Sequence, residues 1–168
     1  PENAIGCYHD LMRQRTEKRA AQLGGETRGG LQIGQGSRLG TQEAEMYVVR
    51  FTDGQDKVTG YGDSGAGLTI ELEHVVRKPL PDMLLTLGIY NEANMRCFET
   101  QISTRTTFGQ LPERGVLRCH LPALPLLPGR YYINVGFYPP DWSYVCDYHW
   151  QLHLLHVVSE KGVPADLS

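Results

Sequence analysis

Residues 131–150 hold eight of the fifteen Phe, Trp and Tyr residues in this sequence. Tyr and Trp join an apolar body to a polar tip, which suits surfaces that meet partners. Flat rings of this kind also stack on the C–H faces of sugars. Alternation assigns Tyr131, Ile133, Val135 and Phe137 to an inward row. Tyr132, Tyr138, Trp142, Tyr144, Tyr148 and Trp150 then fall on an outward face or on the 139–147 loop. Nearby Asn134, Arg118, His120 and Gln151 offer hydrogen bonds to hydroxyls or to a carboxylate. The same aromatics would equally fill a dimer interface or a small core of the loop itself.

A second constellation is Cys146-Asp147-x-His149-x3-His153-x2-His156. On a helix the three histidines would share a face and could hold a metal. Tyr148, Trp150, Leu152, Leu154, Leu155, Val157 and Val158 favour a strand instead. A strand sends His149 and His153 one way and His156 the other, so polar positions on a half-exposed strand are expected, with no metal and no cofactor. Glu71 and Glu73 share a strand face, and paired carboxylates can cleave glycosidic bonds. On one exposed face they read as solvated surface. The sequence has no GxSxG string, no distinctive Cys/His pairing and no GxxxxGK[ST] loop. Neither catalysis nor nucleotide hydrolysis is expected of this chain.

The elements that position these groups follow from the rest of the sequence. At 168 residues it suits one domain with a short appendage, large enough to fold without a staple. A net charge of −3 argues against a nucleic-acid partner. Mean hydropathy is −0.35, and no apolar run approaches the ~20 residues of a membrane helix. No signal segment opens the sequence. The four cysteines form no CxxC pair, which suits a reducing, cytoplasmic compartment. Cys97 and Cys119 fall inside strand-like runs, where a thiol acts as a small hydrophobe.

Residues 1–23 read as a helix whose narrow stripe (Ala4, Ile5, Tyr8, Leu11, Met12) fades into charge, either the end of something larger or a helix docked on its own domain. Seven glycines in 24–42 read as linker. Strands are expected at 44–51, 67–76, 83–90, 96–103, 115–121, 130–138 and 148–158, with 161–168 as a tail. Seven strands without a convincing helix among them predict an all-β, antiparallel sandwich over 43–160.

Val116-Leu117-Arg118-Cys119-His120-Leu121-Pro122, followed by Leu124-Pro125-Leu126-Leu127-Pro128-Gly129-Arg130-Tyr131-Tyr132-Ile133-Asn134-Val135, resembles the strand, LPL-x-PG-x-Y, strand signature of Wzt-type C-terminal domains. Met46-Tyr47-Val48-Val49-Arg50-Phe51 before Asp53-Gly54, the stretch Gly65 to Glu73, and Leu87-Gly88-Ile89-Tyr90-Asn91 resemble that family's earlier strands. The resemblance implies an immunoglobulin-like sandwich belonging to the ATP-binding subunit of an ABC transporter that exports O-antigen polysaccharide. It further implies a non-catalytic carbohydrate-binding module that reads the polysaccharide, often at a modified non-reducing end. It also implies a homodimer at the inner face of the cytoplasmic membrane, joined to the transporter's membrane subunit through an ATPase domain absent from this sequence. Residues 1–23 would then be the tail of that ATPase domain or its linker helix.

Family ligands vary with the glycan, so the expected site rests on the residues themselves. It is the outward face of 83–90, 130–138 and 148–158 with the 139–147 loop. Trp142 and Tyr144 would stack, and Tyr132, Asn134, His149, Gln151 and Arg118 would read polar groups. An acidic terminal sugar would call for Arg118 or Arg130 as bidentate partner. Alternation leaves open which sheet carries 115–121, and whether a bulge in 148–158 exchanges His149 and Trp150 between faces.

Overall fold

A computed structural model of the protein describes residues 2–23 and 37–159. The expected C-terminal tail, 161–168, and most of the expected linker, 24–36, lie outside the described residues. In chain order the elements are α1 (Glu2–Gln22), β1 (Ser37–Leu39), β2 (Ala44–Thr52), β3 (Val58–Thr59), β4 (Tyr61–Asp63) and β5 (Leu68–Val76). There follow β6 (Leu84–Asn91), β7 (Arg96–Ser103), α2 (Thr104–Phe108), β8 (Arg114–Leu121), β9 (Gly129–Tyr138) and β10 (Asp147–Val158). All seven expected strands are present within a residue or two of the expected bounds. The sheet begins before residue 43, because β1 at the end of the glycine-rich stretch pairs antiparallel with β10.

Two sheets face each other. One runs β1-β10-β9-β6-β7, with β4 pairing β10 in parallel; the other runs β3-β2-β5-β8. Leu85, Leu87, Ile89, Ile133, Val135 and Phe137 from the first meet Met46, Leu68, Ile70, Leu72 and Leu117 from the second in one core. The alternation that predicted these rows therefore holds, since each inward side chain is removed from water. Tyr131 is half-buried against this core and donates its hydroxyl to the Leu127 carbonyl at 2.9 Å. That bond fixes the Pro128-Gly129 turn ahead of β9, as a tyrosine corner does.

Glu71 and Glu73 lie on the outer face of the second sheet, where Arg50 pairs with both and Arg118 adds to Glu71. They are ion-paired strand residues, not a catalytic couple. Cys97 corrects the expectation of a hydrophobe: β7 is an edge strand, and its thiol is exposed.

Helix α1 docks on the sandwich, burying only Met12 of the described residues in the stripe read from sequence. Tyr8 and Leu11 are exposed, while Met12, Thr16 and Ala20, one turn apart, are buried. The Thr16 hydroxyl donates to the Met12 carbonyl and accepts from the Val145 N–H at 3.0 Å. Arg19 bonds Glu43 at 3.0 Å and lies over the Tyr144 ring. Small residues let the helix approach closely, which hydrophobic periodicity alone does not register.

Candidate functional site

The outer face of the first sheet carries a small cleft of about 70 Å³, lined by Thr86, Gly88 and Tyr90 of β6, Glu99 of β7, Asn134 and Tyr138 of β9, Trp142, and Tyr148 of β10. Its floor is glycine. Gly88 pairs with Asn134 in register, and Gly136 pairs with both Thr86 and Tyr148. A Cβ on Gly136 would lie 2.6 Å from the Tyr138 ring and 2.9 Å from the Thr86 hydroxyl; one on Gly88 would lie 2.6 Å from the Tyr90 ring. The absent side chains let aromatic rings lie low over the backbone. Trp142 sits on the 139–146 loop at φ 57° with its ring 4.5 Å from that of Tyr138. Met12 of α1 and Val145 complete the packing behind these rings.

Asn134 is the polar centre of the cleft and is 3% exposed. Its Oδ1 accepts the Gln151 N–H at 2.8 Å, where β10 bulges and Gln151 adopts φ 52°. Its Nδ2 stands near enough to Tyr148 to temper that phenol's rise, yet finds no partner at hydrogen-bonding geometry. Burial and the neighbouring Tyr90 and Glu99 push the Tyr148 phenol up to about 12. Tyr90 and Tyr138 are raised for the same first reason, burial. All three phenols therefore stay protonated at neutral pH and can donate. Glu99 is held by Arg96 through Oε2.

The expected site residues divide. Trp142 and Asn134 line the cleft. Tyr132 shares the outer face, opposite Tyr90 in register, without lining the cleft. Gln151 contributes its backbone to Asn134 and reaches Asn94 with its side chain at 3.5 Å. Tyr144 turns the other way, half-buried under Arg19 and packed on the core. Arg118 is not at this face, because β8 joins the opposite sheet beside β5 and its guanidinium pairs with Glu71 at 2.8 Å. Arg130 pairs with Glu92 at 3.3 Å.

His149 is no surface reader either. It points inward, opposite Val135, and is 4% exposed. Its ring lies 2.8 Å from His153 and 3.2 Å from Asp147. Arg38 takes both Asp147 oxygens, at 2.8 and 2.9 Å, and continues to Glu45. The expectation that His149 and His153 point together holds; His156 lies apart, against Tyr61. With a guanidinium on the carboxylate, this is an ionic hydrogen-bond network, and no group of three His, Cys, Asp or Glu among the described residues is placed to hold a metal.

Sequence reading placed the outward face of 83–90 at the site without naming Thr86 or Tyr90, and it missed Glu99. The available signal was glycine: Gly88 and Gly136 interrupt otherwise apolar or aromatic strands, which marks close approach to a backbone. A larger cavity of about 890 Å³ opens at the sandwich end between 76–83 and 104–113. Proline and aliphatic side chains, with Arg77 committed to Glu45, make up much of its wall, and no aromatic ring is among them.

A sequence model of the Wzt C-terminal domain matches residues 35–165. The chain belongs to this family. The Wzt domain is also found among solved structures: a crystal structure of the C-terminal domain of Wzt superposes with a TM-score of 0.62 at 13% identity, covering 78% of this chain and 82% of that one. At that identity the likeness shows the fold, which is the expected β-sandwich. Two further structures match with TM-scores too low to carry an argument. They are the CARDB domain of a Pyrococcus furiosus protein in complex with di-metal ions (0.38; 13% identity; 68% of this chain, 90% of that one) and chicken MD-1 complexed with lipid IVa (0.37; 10%; 77% and 96%). No curated protein matches the sequence. Wzt membership ties the chain to the ABC transporter of O-antigen export. No helix among the described residues is long and apolar enough to cross a membrane.

Proposed function

We propose that this Wzt C-terminal domain is a non-catalytic carbohydrate-binding module that recognises O-antigen polysaccharide, at its non-reducing end, for ABC-transporter export. The observation that carries the reading is the buried, unpartnered Asn134 Nδ2 in an aromatic cleft. A buried donor without a partner costs about 1–3 kcal/mol, which a ligand hydroxyl would recover. Trp142 and the tyrosines supply the flat walls against which a sugar's C–H face packs. A cleft of this size takes one substituent of a terminal sugar while the ring rests on the rim, which suits an end rather than a mid-chain segment. On this reading the domain works as a homodimer on the cytoplasmic side of the membrane, and α1 is the tail of a preceding ATP-binding domain. Because Met12 packs among the cleft aromatics, α1 is also the route by which occupancy would be felt by that domain.

The test is titration of the domain with O-polysaccharide from its own source, beside a sample trimmed at the non-reducing terminus, followed by tryptophan fluorescence. Saturable binding that vanishes on trimming supports the reading; no response to either sample sinks it. Trp142→Ala is expected to weaken binding roughly fivefold or more, since one stacked ring contributes about 1 kcal/mol or more. Loss of self-association in that variant, with glycan binding intact, would instead make the patch a dimer interface. Gly136→Ala places its methyl against Thr86, Tyr138 and Tyr148 and fills the cleft floor. We expect a comparable loss of binding with about 1 kcal/mol or more of destabilisation by urea unfolding, as overpacking costs.

A further inference from the structure

Resting on that reading, we infer that the cleft selects an uncharged glycan end and discriminates against one bearing phosphate or carboxylate. The argument begins with the lining. Among the described residues that form the cleft there is no Lys, Arg or His, and the one charged group is the Glu99 carboxylate. Arg96 grips Oε2 from the same strand without lining the cleft, and Oε1 has no partner among the described residues. Glu99 is thus a positioned acceptor, suited to a hydroxyl or an amide N–H. Burial is the first cause of the raised pKa of Tyr90, Tyr138 and Tyr148; Glu99 adds to all three, and Arg96 opposes it at Tyr90. The remaining polar groups are Asn134 Nδ2, the Thr86 hydroxyl and the phenols. These neutral donors satisfy sugar hydroxyls and cannot compensate the desolvation of an anion.

The arginines that could have served an acidic sugar are committed elsewhere. Arg118 lies in the opposite sheet on Glu71, Arg130 holds Glu92, and Arg38 is spent on Asp147 and Glu45. An anionic end would therefore meet the Glu99 carboxylate, itself ion-paired to Arg96, and no cation among the residues that line the cleft. Arg96 offsets part of the Glu99 charge, and the remaining repulsion together with the uncompensated desolvation of the anion is worth roughly tenfold in affinity. Recognition by exclusion of this kind is how a shallow site gains specificity that its few contacts do not supply.

Matched pairs of methyl glycosides provide the test: a neutral hexoside against its uronate and its 6-phosphate, at constant ionic strength, followed by the Trp142 indole N–H in NMR titrations. We expect the neutral member of each pair to bind at least tenfold tighter. Glu99→Gln should narrow that ratio severalfold by relieving the repulsion, an effect a merely structural role for Glu99 would not produce. Equal or tighter binding of the charged members overturns the inference while leaving the module a glycan binder. If no glycoside of any pair binds, the inference also falls, and titration with the whole polysaccharide then decides separately whether the glycan reading survives.

Discussion

Asp147→Ala should cost about 3–5 kcal/mol, the range for removing one partner of a buried charge network. Asp147 is fully buried, and its two oxygens accept from Arg38 Nε and Nη2, from the Met46 backbone N–H at 2.8 Å and from His149 Nε2. Met46 belongs to β2 and Asp147 to β10, so this carboxylate ties the two sheets together where β2 changes register between Met46 and Val48. Alanine would orphan the Met46 N–H and leave Arg38 with Glu45 alone. A domain of this size is stable by about 5–15 kcal/mol, so the loss is roughly a fifth or more of the total. Asp147→Asn keeps the shape without the charge and should lose less, about 1–3 kcal/mol. Urea unfolding followed by circular dichroism measures both; a cost below 1 kcal/mol for the alanine variant would mean that the network does not bind the sheets.

Acid should destabilise the domain well before its carboxylates titrate. Burial, reinforced by His149 and the Arg38 guanidinium, pushes the His153 imidazole down to about 4. Burial likewise lowers His74. A base whose pKa is lower folded than unfolded takes up its proton more readily in the unfolded chain. Stability is therefore complete above the unfolded value near 6.5 and is lost progressively as pH falls from there toward 4. For His153 the full shift corresponds to about 3 kcal/mol, of which about 2 is expected, because its side chain is only partly removed from solvent. Asp147 acts in the same direction in a lower window, since His149 and Arg38 hold its pKa below the usual carboxylate value. Unfolding free energies at pH 7.5, 6.5, 5.5 and 4.5 should fall steadily, and His153→Gln should flatten that slope. An unchanged slope in the variant would place the titrating group elsewhere.

The division between what was legible and what was not is physical. Strands such as β5 and β9 were legible because period-two alternation is a local property: Leu68, Ile70 and Leu72, or Ile133, Val135 and Phe137, declare a buried face within a few residues. β1, β3 and β4, at two or three residues each, are too short to alternate. The helix at the N-terminus was legible, but its docking face was not, since Thr16 and Ala20 bury through close approach rather than hydrophobicity.

At the candidate site, Trp142, Asn134 and the outward tyrosines could be found from composition and alternation. The outward face of 83–90, which carries Tyr90, was part of the expected site, but Glu99 was not, because it enters through the register of the β6–β7 hairpin, opposite Gly88. His149 was misplaced because alternation gives two faces without saying which is covered, and the covered one here holds Asp147 and Arg38. Arg118 was misplaced because sheet membership is set by which partner a strand finds in space, here β5. The sequence by itself determined the family, the strands and the aromatic wealth of one segment. Only the tertiary structure decided which side chains share a cleft, and that the charge there is negative, because registers between distant strands are chosen by the packing of the whole core.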